Sequence, residues 1–551
     1  MKNKILGLAI LTIFFSCKEE TIINQRKVKE YSIEQFMDNE SVGGGSFSSD
    51  NNNLLVSSNR SGILNLYTVP STGGKLTAIT ASDSTSIFAE SYFPNDNRML
   101  FMTDGNGDEI DHLFVRELDG TIRDITPFKG AKSVFYRWSK DEKHLYYRSN
   151  KRSPQYFDMY KLSIDDYTAE LIYQNNDGLN FSEISNDENF FALSKTLNTS
   201  DADLFLYNVK TKQLTKINDK ISANSAQGFS ADNFKLYYTT DEGAEFSYLT
   251  SYDLISKEKN KIIERSWDVN GITLTSQGKY MAVYTNEDGK NAIEVLNTKT
   301  MKSIELPDFN NKSISNVAFS KDEKWMSAYV GGSNSPSDLY TYNLESKEQH
   351  KITSVLNDEI DINDLVTAKV VRFNSFDSTE IPAIYYLPHQ ASPDKKVPAL
   401  IWVHGGPGGQ SRQEFNSLIQ YVVNHGYAIL AVNNRGSSGY GKTFYKMDDK
   451  NHGEKDLQDC IEGKNWLAKQ TEIQAEKIGI MGFSYGGYMT MAALTFAPEE
   501  FKVGVNIFGV TNWLRTLKSI PPYWESYREA LYLELGNPFS ADSIRLKQIS
   551  P

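Results

Sequence analysis

A pattern of residues recurs between residues 42 and 356 at an interval of about 45 residues, a length typical of repeat architectures. Each copy has an apolar residue, Ser-x-Asp, a few polar residues and then alternating apolar residues, as in SFSSDNNNLLVSS and RWSKDEKHLYYRS. The aspartate position of the seven copies falls at Asp50, Asp96, Asp141, Asp187, Asp232, Gly278 and Asp322. Unrelated segments do not keep so regular an interval, so a repeat architecture is expected.

The second half of each copy alternates apolar and polar residues around a turn, as in DLFLYNVKTKQLTKI and DLYTYNLESKEQHKIT, and so predicts a β-hairpin. Four short strands per copy make one blade of a β-propeller. The sequence therefore predicts a seven-bladed β-propeller over residues 42–356. Ser and Asp side chains accept backbone N–H bonds in tight turns, so the repeated aspartates are interpreted as turn residues rather than as metal ligands or acid–base groups.

The 45-residue repeat ends before residue 357, and from there apolar strands alternate with helical patterns. The strands PALIWV, AILAV, KIGIMG and KVGVNIF are separated by helical patterns near 413–424, 454–470 and 485–497. Apolar strands that alternate with helices are typical of a mostly parallel sheet covered on both faces. We therefore predict an α/β domain over residues 357–551. A short helix is expected within residues 31–39 of the lead-in segment 18–41.

The N-terminus is typical of an export signal, because the basic MKNK precedes ILGLAILTIFF, an apolar run too short to span a bilayer. Ser16 and Cys17 follow and resemble the lipobox of bacterial lipoproteins, although Phe14 and Phe15 are bulky for that motif. We expect residues 1–17 to be a lipoprotein-type signal peptide lipidated at Cys17, and an ordinary cleaved signal is the alternative. The predicted location is the periplasm, the outer membrane or the cell surface of a bacterium.

The charge of the chain argues against one class of partner. With 58 Lys and Arg against 70 Asp and Glu, the net charge is −12, and no basic stripe is present to bind phosphates, so a nucleic-acid partner is not expected. The second of two cysteines, Cys460, lies in the helical pattern DLQDCIEG and is interpreted as a small buried side chain. No metal or other cofactor is predicted, and the oligomeric state stays open.

The segment KIGIMGFSYGGYMT places Ser484 in a G-x-S-x-G motif between a predicted strand and a predicted helix. This is the setting of a nucleophile elbow, in which a tight turn lifts the serine hydroxyl off the sheet and glycines allow the helix to pack close to the strand. The start of the helix then faces the negative charge that develops on the substrate oxygen. We predict Ser484 as nucleophile and the Tyr485 backbone N–H as one oxyanion donor.

A second donor is expected from HGGPGGQ, residues 404–410, which directly follows the strand PALIWV. This loop is similar to the oxyanion loop of α/β-hydrolases, and by that motif the Gly406 backbone N–H is the candidate donor. His404 stands before the serine, which is the wrong order for the base of this fold. It is interpreted as a side chain that braces the loop.

A propeller followed by HGGPGG, NNRGSSGYG and GFSYGGYM resembles the prolyl oligopeptidase family of serine peptidases, in particular its acylaminoacyl-peptidase and dipeptidyl-peptidase branches. The resemblance covers nearly the whole mature chain. It implies that the propeller caps an α/β-hydrolase domain and restricts access to short peptides. By position it makes Trp513 a residue of the substrate pocket, with Tyr523 and Trp524 beside it; core packing is the alternative for all three.

Two features depart from that family. The glutamate pair with which dipeptidyl peptidases hold a free amino terminus has no clear match, so acylpeptide, dipeptidyl and endo-oligopeptide cleavage all stay open. The fold orders its triad as Ser, Asp, His, but Asp542 is the one aspartate after Ser484 and no histidine follows it. Asp542 is interpreted as a helix N-cap or turn residue. The chain is therefore expected to be a C-terminally truncated enzyme, inactive by itself.

Three functions are compatible with these residues. The first is a serine peptidase that acts on short peptides through an acyl-enzyme on Ser484. The second is a small-ester hydrolase of the same fold, because fold does not determine substrate. The third is a propeller-based binding lipoprotein with a dead hydrolase domain.

Overall fold

A computed structural model describes residues 27–105, 107–310 and 312–551 of the chain. The predicted signal peptide and the predicted lipidation site, Cys17, lie outside the described residues. Among the helices of the described part, we find none with both the length and the apolar character needed to cross a bilayer.

Seven antiparallel four-stranded sheets run in chain order from Val42 to Lys351, which confirms the predicted seven-bladed β-propeller. Each blade uses four consecutive strands, so the blades match the seven sequence copies one to one. The strands are β1–β4 (Val42–Phe47, Asn53–Ser58, Asn65–Pro70, Thr77–Ala78), β5–β8 (Phe88–Tyr92, Met99–Thr103, His112–Arg116, Ile122–Asp124), β9–β12 (Ser133–Trp138, His144–Ser153, Tyr156–Ser163, Ala169–Tyr173), β13–β16 (Asn180–Ile184, Phe190–Thr196, Ala202–Asn208, Leu214–Lys216), β17–β20 (Asn224–Phe229, Lys235–Thr240, Tyr248–Asp253, Lys259–Ile263), β21–β24 (Val269–Leu274, Tyr280–Glu287, Lys290–Asn297, Lys302–Ile304) and β25–β28 (Ser313–Phe319, Trp325–Gly332, Ser335–Asn343, Gln349–Lys351).

The repeated Ser-x-Asp motif forms the turn between the first and second strands of a blade. In blade 1 the Ser48 hydroxyl donates to Asp50 at 2.6 Å, and the same bond is 2.5–2.6 Å long in blades 3, 4, 5 and 7. In these five blades the residue after the aspartate has a left-handed φ, for example 62° at Asn51 and 58° at Glu142. The aspartates therefore act as turn residues, as expected.

The propeller ring closes through non-covalent contacts between blades 1 and 7. The Ser327 hydroxyl donates to the Gly45 carbonyl at 2.9 Å, and the Thr341 hydroxyl donates to the Ser71 carbonyl at 2.7 Å. Apolar side chains of both blades also form one buried cluster. Neither end of the propeller contributes a strand to the other end's blade, so the described ring closes through packing and hydrogen bonds rather than through a shared sheet.

The C-terminal domain is a six-stranded sheet in the order β29-β30-β32-β31-β33-β34, with parallel pairing from β32 through β34. Its strands are Lys369–Asn374, Glu380–Tyr386, Val397–Val403, Ala428–Val432, Ile473–Phe483 and Gly504–Ile507, numbered β29–β34 in that order. The helices of the protein are α1 (Ile33–Met37), α2 (Ser417–Asn424), α3 (Lys442–Tyr445), α4 (Lys455–Ala468), α5 (Tyr485–Phe496), α6 (Trp513–Lys518), α7 (Glu525–Leu535) and α8 (Asp542–Gln548), with 3-10 turns at Ile362–Asp364, Lys446–Asp448 and Pro522–Trp524. The mostly parallel α/β-hydrolase sheet is thus confirmed.

The lead-in segment packs on the C-terminal domain. Helix α1 is capped by Ser32, and Tyr31 and Phe36 are buried against partly buried residues that include Phe415 and Tyr421. The Tyr31 backbone N–H donates to Asn424 at 3.0 Å. The described part of the chain therefore contacts the hydrolase domain before it forms the propeller, and then continues into that domain.

Candidate active site

Ser484 occupies the sharp turn between β33 and α5, and its side chain is exposed. Its backbone has φ 52° and ψ −115°, a combination that residues with a Cβ rarely adopt. The Ser484 N–H donates to the Ile507 carbonyl at 3.1 Å, and the Ser484 carbonyl accepts from the Tyr488 N–H at 3.0 Å. Hydrogen bonds on both sides of the turn thus hold the strained residue in place.

The glycine after the elbow, Gly486, is required by close packing of α5 on the sheet. A Cβ on Gly486 would lie 2.0 Å from the Val403 carbonyl oxygen, at the end of β31. The first turn of α5 therefore touches the strand that leads into the second predicted motif. This contact brings the elbow and the 404–410 loop together.

The 404–410 loop lies beside the nucleophile, because a Cβ on Gly405 would be 3.8 Å from the Ser484 Cβ. The His404 ring is buried, with Nδ1 2.8 Å from the Gly405 carbonyl and Nε2 2.8 Å from the Ser437 hydroxyl. Burial lowers the pKa of His404. His404 therefore braces the loop, as expected, while Gly406 as oxyanion donor stays a prediction.

Side chains from the 435–446 segment support the same loop. The Ser438 backbone N–H donates to the Gly409 carbonyl at 3.0 Å, and the segment itself is anchored by Arg435, which is buried and binds the carboxylates of Asp459 at 2.8 Å and Asp377 at 2.9 Å. A Cβ on Gly408 would lie 2.4 Å from the Tyr445 hydroxyl oxygen. The loop thus has no room to shift toward α3.

A buried group of ionisable side chains lies beneath the elbow. The Tyr485 hydroxyl donates to Asp456 at 2.5 Å, and His452 Nε2 lies 3.3 Å from carboxylate oxygens of both Asp448 and Glu534. Burial alone would lower the pKa of His452, but the two carboxylates outweigh burial and raise it to about 10. Burial raises the pKa of Asp448 and of Asp456, against the opposing charge of His452.

Sequence reasoning missed this group, which we call the sub-elbow cluster: Asp448, His452, Asp456 and Glu534. The sequence did contain a sign of buried charge. Asp456 and Asp459 lie on the same face of the predicted helix as Leu457 and Cys460, and this apolar face packs on the sheet. Cys460 itself is fully buried in the core, as predicted. Asp448, His452 and Glu534 are also the one group whose ligand atoms, within 4.8 Å of one another, have metal-site spacing in the described part of the chain.

The three predicted substrate-pocket residues occupy two different places. Trp513 is 4% exposed and packs against the rings of Tyr485 and Tyr488, so the structure places it in the core. Tyr523 and Trp524 are 38% and 46% exposed and line a cavity of about 390 Å³ with residues of blades 3 and 4. Substrate contact by all three stays a prediction.

The base that Ser484 needs is not found among the described residues. All seven histidines precede Ser484, and within the described ranges none of them bonds its hydroxyl. The two nearest in the fold, His404 and His452, are engaged with other partners. Asp542 begins α8 and accepts the Asn537 N–H at 3.0 Å, so it is a turn residue, as expected.

The propeller contacts the 435–446 segment, which borders the 404–410 loop, and nearby parts of the hydrolase domain. It does so through the turns between the second and third strands of blades 4–6. Asp201 has no exposed side-chain area and pairs with Lys442 at 2.9 Å and with Lys446 at 2.6 Å. Nearby, the Arg372 guanidinium pairs with Asp288 at 2.8 Å. A cavity of about 460 Å³ lies at this interface, lined by residues that include Asp241, Glu245, Asp268 and Tyr445.

The strained backbone of Ser484 leads to a prediction about the free energy of unfolding. Replacing Ser484→Gly is expected to raise the free energy of unfolding by about 1 kcal/mol relative to Ser484→Ala, since glycine alone relaxes at this φ and ψ. Both variants lack the hydroxyl, so they are matched in chemistry. Denaturant unfolding of the two variants measures the difference, and equal stability would show that the turn stores no strain.

The pKa of Asp201 leads to a prediction about how the stability of this interface depends on pH. Burial alone would raise the pKa of Asp201, but Lys446 and Lys442 outweigh burial and lower it to about 2, from 3.8. A depressed folded-state pKa contributes stability above pH 3.8 that is lost as the pH falls toward 2. Asp201→Asn is expected to weaken the interface by about 3 kcal/mol at neutral pH, because Lys446 loses its carboxylate partner and Lys442 is left with Asp241 at 3.2 Å.

Hydrogen exchange of residues 197–201 and 442–446 measures this loss. In the wild type, protection of these residues is expected to fall as the pH drops from 4 to 2, and in Asp201→Asn it is expected to be low throughout. Asp219→Asn is the control, because Asp219 pairs with Lys259 at 2.6 Å but is 78% exposed. Protection in Asp201→Asn equal to that in the control would contradict the assigned role.

Comparison with known proteins follows the same division of the chain. Residues 78–355 match a family model described as the N-terminal beta-propeller domain of prolyl oligopeptidase. Residues 413–543 match a model described as the prolyl oligopeptidase family.

Curated relatives and solved structures match most of the chain. The dipeptidyl aminopeptidase BIII of Pseudoxanthomonas mexicana is 27% identical over 495 residues, 87% of this chain and 71% of that protein. The dipeptidyl peptidase family member 6 of Caenorhabditis elegans is 23% identical over 545 residues, 89% of this chain and 72% of that protein. A puromycin-hydrolysing peptidase of Mycobacterium tuberculosis superposes with a TM-score of 0.78 at 14% identity, covering 94% of this chain and 84% of that one. At such identity the superposition bears on the fold alone.

Proposed function

This chain belongs to the prolyl oligopeptidase family, and on that premise we propose that it carries the nucleophile of a serine peptidase that hydrolyses short peptides. The observation that carries the proposal is the exposed Ser484 at a strained turn, with the 404–410 loop beside it. In the first step the Ser484 oxygen attacks the peptide carbonyl carbon, and its proton passes to a general base. The amine leaves with that proton, and water then hydrolyses the acyl-enzyme.

The proposed oxyanion donors are the backbone N–H groups of Tyr485 and Gly406. Tyr485 is the first residue of α5, so its N–H belongs to the helix end that carries partial positive charge. Gly406 lies in the braced loop, next to Gly405, whose added Cβ would be 3.8 Å from the Ser484 Cβ. Two fixed amides aimed at the developing negative charge stabilise the transition state more than the ground state.

Short peptides are the proposed substrates because the propeller covers the catalytic loops. The interface cavity of about 460 Å³ is not lined by Ser484 itself, but its residues Ser438 and Tyr445 contact the 404–410 loop, and it has the size of a small-ligand site rather than of a groove for a folded protein. At the opposite mouth of the propeller channel, Lys321 pairs with Glu142 of a facing blade at 2.7 Å, and Lys140 donates to the Ser276 carbonyl at 2.6 Å. These bridges support entry between the domains rather than along the channel axis.

We further propose that none of the described residues acts as the general base of Ser484. A serine without a base keeps its proton near neutral pH and is a poor nucleophile. The absence of a histidine at Ser484 among the described residues supports this proposal. We therefore expect the 551-residue chain by itself to be inactive and the protein as its own cells produce it to be an active peptidase.

Peptide and ester substrates, tested side by side on the protein as its own cells produce it, distinguish the alternatives. A peptidase cleaves short peptides at rates that Ser484→Ala abolishes. An ester hydrolase of the same fold would show Ser484-dependent cleavage of small esters alone. A binding lipoprotein with a dead hydrolase domain would cleave neither substrate.

The location of the protein is also a proposal. The basic and apolar start of the chain and the cysteine that follows support export with lipid attachment at Cys17. Incorporation of labelled palmitate that Cys17→Ser abolishes would support the anchor. Equal labelling of the two proteins would contradict it.

A further inference from the structure

We propose that the side chain of Tyr485, held by the buried carboxylate of Asp456, is the positioning group that aims the Tyr485 backbone N–H at the oxyanion. The inference rests on the proposed function and adds a role for two side chains that the reaction scheme does not use. Tyr485 thus combines two parts: an amide beside the nucleophile, and a phenol anchored in the core beneath it.

The Tyr485 side chain leaves the site and enters the core. It is 2% exposed, and its hydroxyl donates to Asp456 Oδ2 at 2.5 Å. Its ring stands perpendicular to that of His452 at 5.7 Å and also packs against Tyr488 and Trp513. The ring is therefore enclosed, and its hydroxyl has a single directional partner.

The partner is itself rigid. Asp456 has no exposed area, and its other oxygen accepts the backbone N–H groups of Glu454 at 3.0 Å and Leu457 at 2.8 Å. His452 beside it is held between Asp448 and Glu534. The phenol is thus fixed to the start of α4, a different element from the one that carries Ser484.

The elbow needs such an anchor because it is strained. At φ 52° and ψ −115°, Ser484 would relax by rotating the peptide unit that joins it to Tyr485, and this rotation would turn the Tyr485 N–H away from the substrate. A side chain fixed at its far end opposes that rotation. The phenol–carboxylate bond therefore acts on the amide without touching the substrate.

Tyr488 supplies a matched control. It lies one turn along α5, is equally buried, and its hydroxyl donates to the His452 carbonyl at 3.2 Å. Tyr488→Phe removes a buried tyrosine hydrogen bond from the same helix but leaves the residue with the donor amide intact. A purely structural contribution of these phenols would lower stability in both variants alike.

The experiment compares Tyr485→Phe with Tyr488→Phe in the protein as its own cells produce it, using kcat, KM and the inhibition constant of a peptide boronic acid. Tyr485→Phe is expected to lower kcat by about 10- to 100-fold and to weaken the boronate by a similar factor, with KM within about twofold. Tyr488→Phe is expected to change each value by less than about twofold. Asp456→Asn, which retains an acceptor, is expected to lose less kcat than Asp456→Ala.

Two results would overturn the proposal. The first is a kcat in Tyr485→Phe no lower than in Tyr488→Phe, even if both variants are less stable than the wild type. The second is a uniform rise of KM with kcat unchanged, which would mean that the phenol affects substrate binding instead. Failure of the proposed function would be distinguishable from failure of this inference, because the wild type itself would then show no Ser484-dependent hydrolysis. In that case the inference about Tyr485 would fail together with the proposed function.

Discussion

The isolated 551-residue polypeptide is expected to cleave peptides no faster than about 10⁻³ s⁻¹, because a typical enzyme turns over at about 10 s⁻¹ and loss of the base costs about 10⁴-fold. Ser484→Ala is expected to leave this residual rate unchanged, since an unactivated hydroxyl adds almost nothing to it. Release of a chromogenic amine from short peptides, followed over hours at neutral pH, measures both proteins.

The control for this result is the protein as its own cells produce it, assayed under the same conditions. A rate near 10 s⁻¹ in that protein, lost in Ser484→Ala, would show that the missing component is the base rather than the fold. Peptide cleavage near that rate by the 551-residue polypeptide, abolished by Ser484→Ala, would contradict the account. A base would then have to exist among the seven histidines of the chain.

Replacing Gly486→Ala is expected to lower the free energy of unfolding of the hydrolase domain by about 3 kcal/mol and to remove the nucleophile from its site. The new Cβ would lie 2.0 Å from the Val403 carbonyl oxygen, and backbone cannot move aside as a side chain can. Helix α5 must therefore shift off the sheet, and the elbow must shift with it. Denaturant unfolding and hydrogen exchange of residues 478–490 measure the two effects.

Gly43→Ala is the matched control for Gly486→Ala. A Cβ on Gly43 meets nothing within 4 Å, so this substitution is expected to change stability by less than about 0.5 kcal/mol. If the two variants were equally stable, α5 would not pack on β31 as closely as described. The geometry of the elbow would then need revision.

The propeller was predictable because a local cause repeats in every copy. Ser48 and Asp50 fix a turn with their own side chains, and the same pair recurs at Ser139 and Asp141. The residues that form the turn are therefore the same residues that make the sequence pattern. The elbow was predictable for a related reason. The turn at Ser484 and the close contact at Gly486 each demand particular residue types within five positions.

Features that depend on distant partners could not be predicted in this way. His452 meets Glu534 across 82 residues, and Lys446 meets Asp201 across 245 residues, so no local pattern marks either pair. The short helices α3 and α6 were also missed, because with four and six residues they carry too little periodicity to be recognised. The sequence leaves Trp513 open between pocket and core, and its packing against the distant rings of Tyr485 and Tyr488 places it in the core.

The central claim is that the oxygen of Ser484 is an activated nucleophile at a strained turn between two oxyanion donors. Fluorophosphonate labelling of the protein as its own cells produce it, followed by mass spectrometry of its peptides, tests this claim most directly. The account predicts one phosphonylated residue, Ser484, and no labelling of Ser484→Ala. Labelling at another residue, or none under conditions that label a control serine peptidase fully, would contradict it.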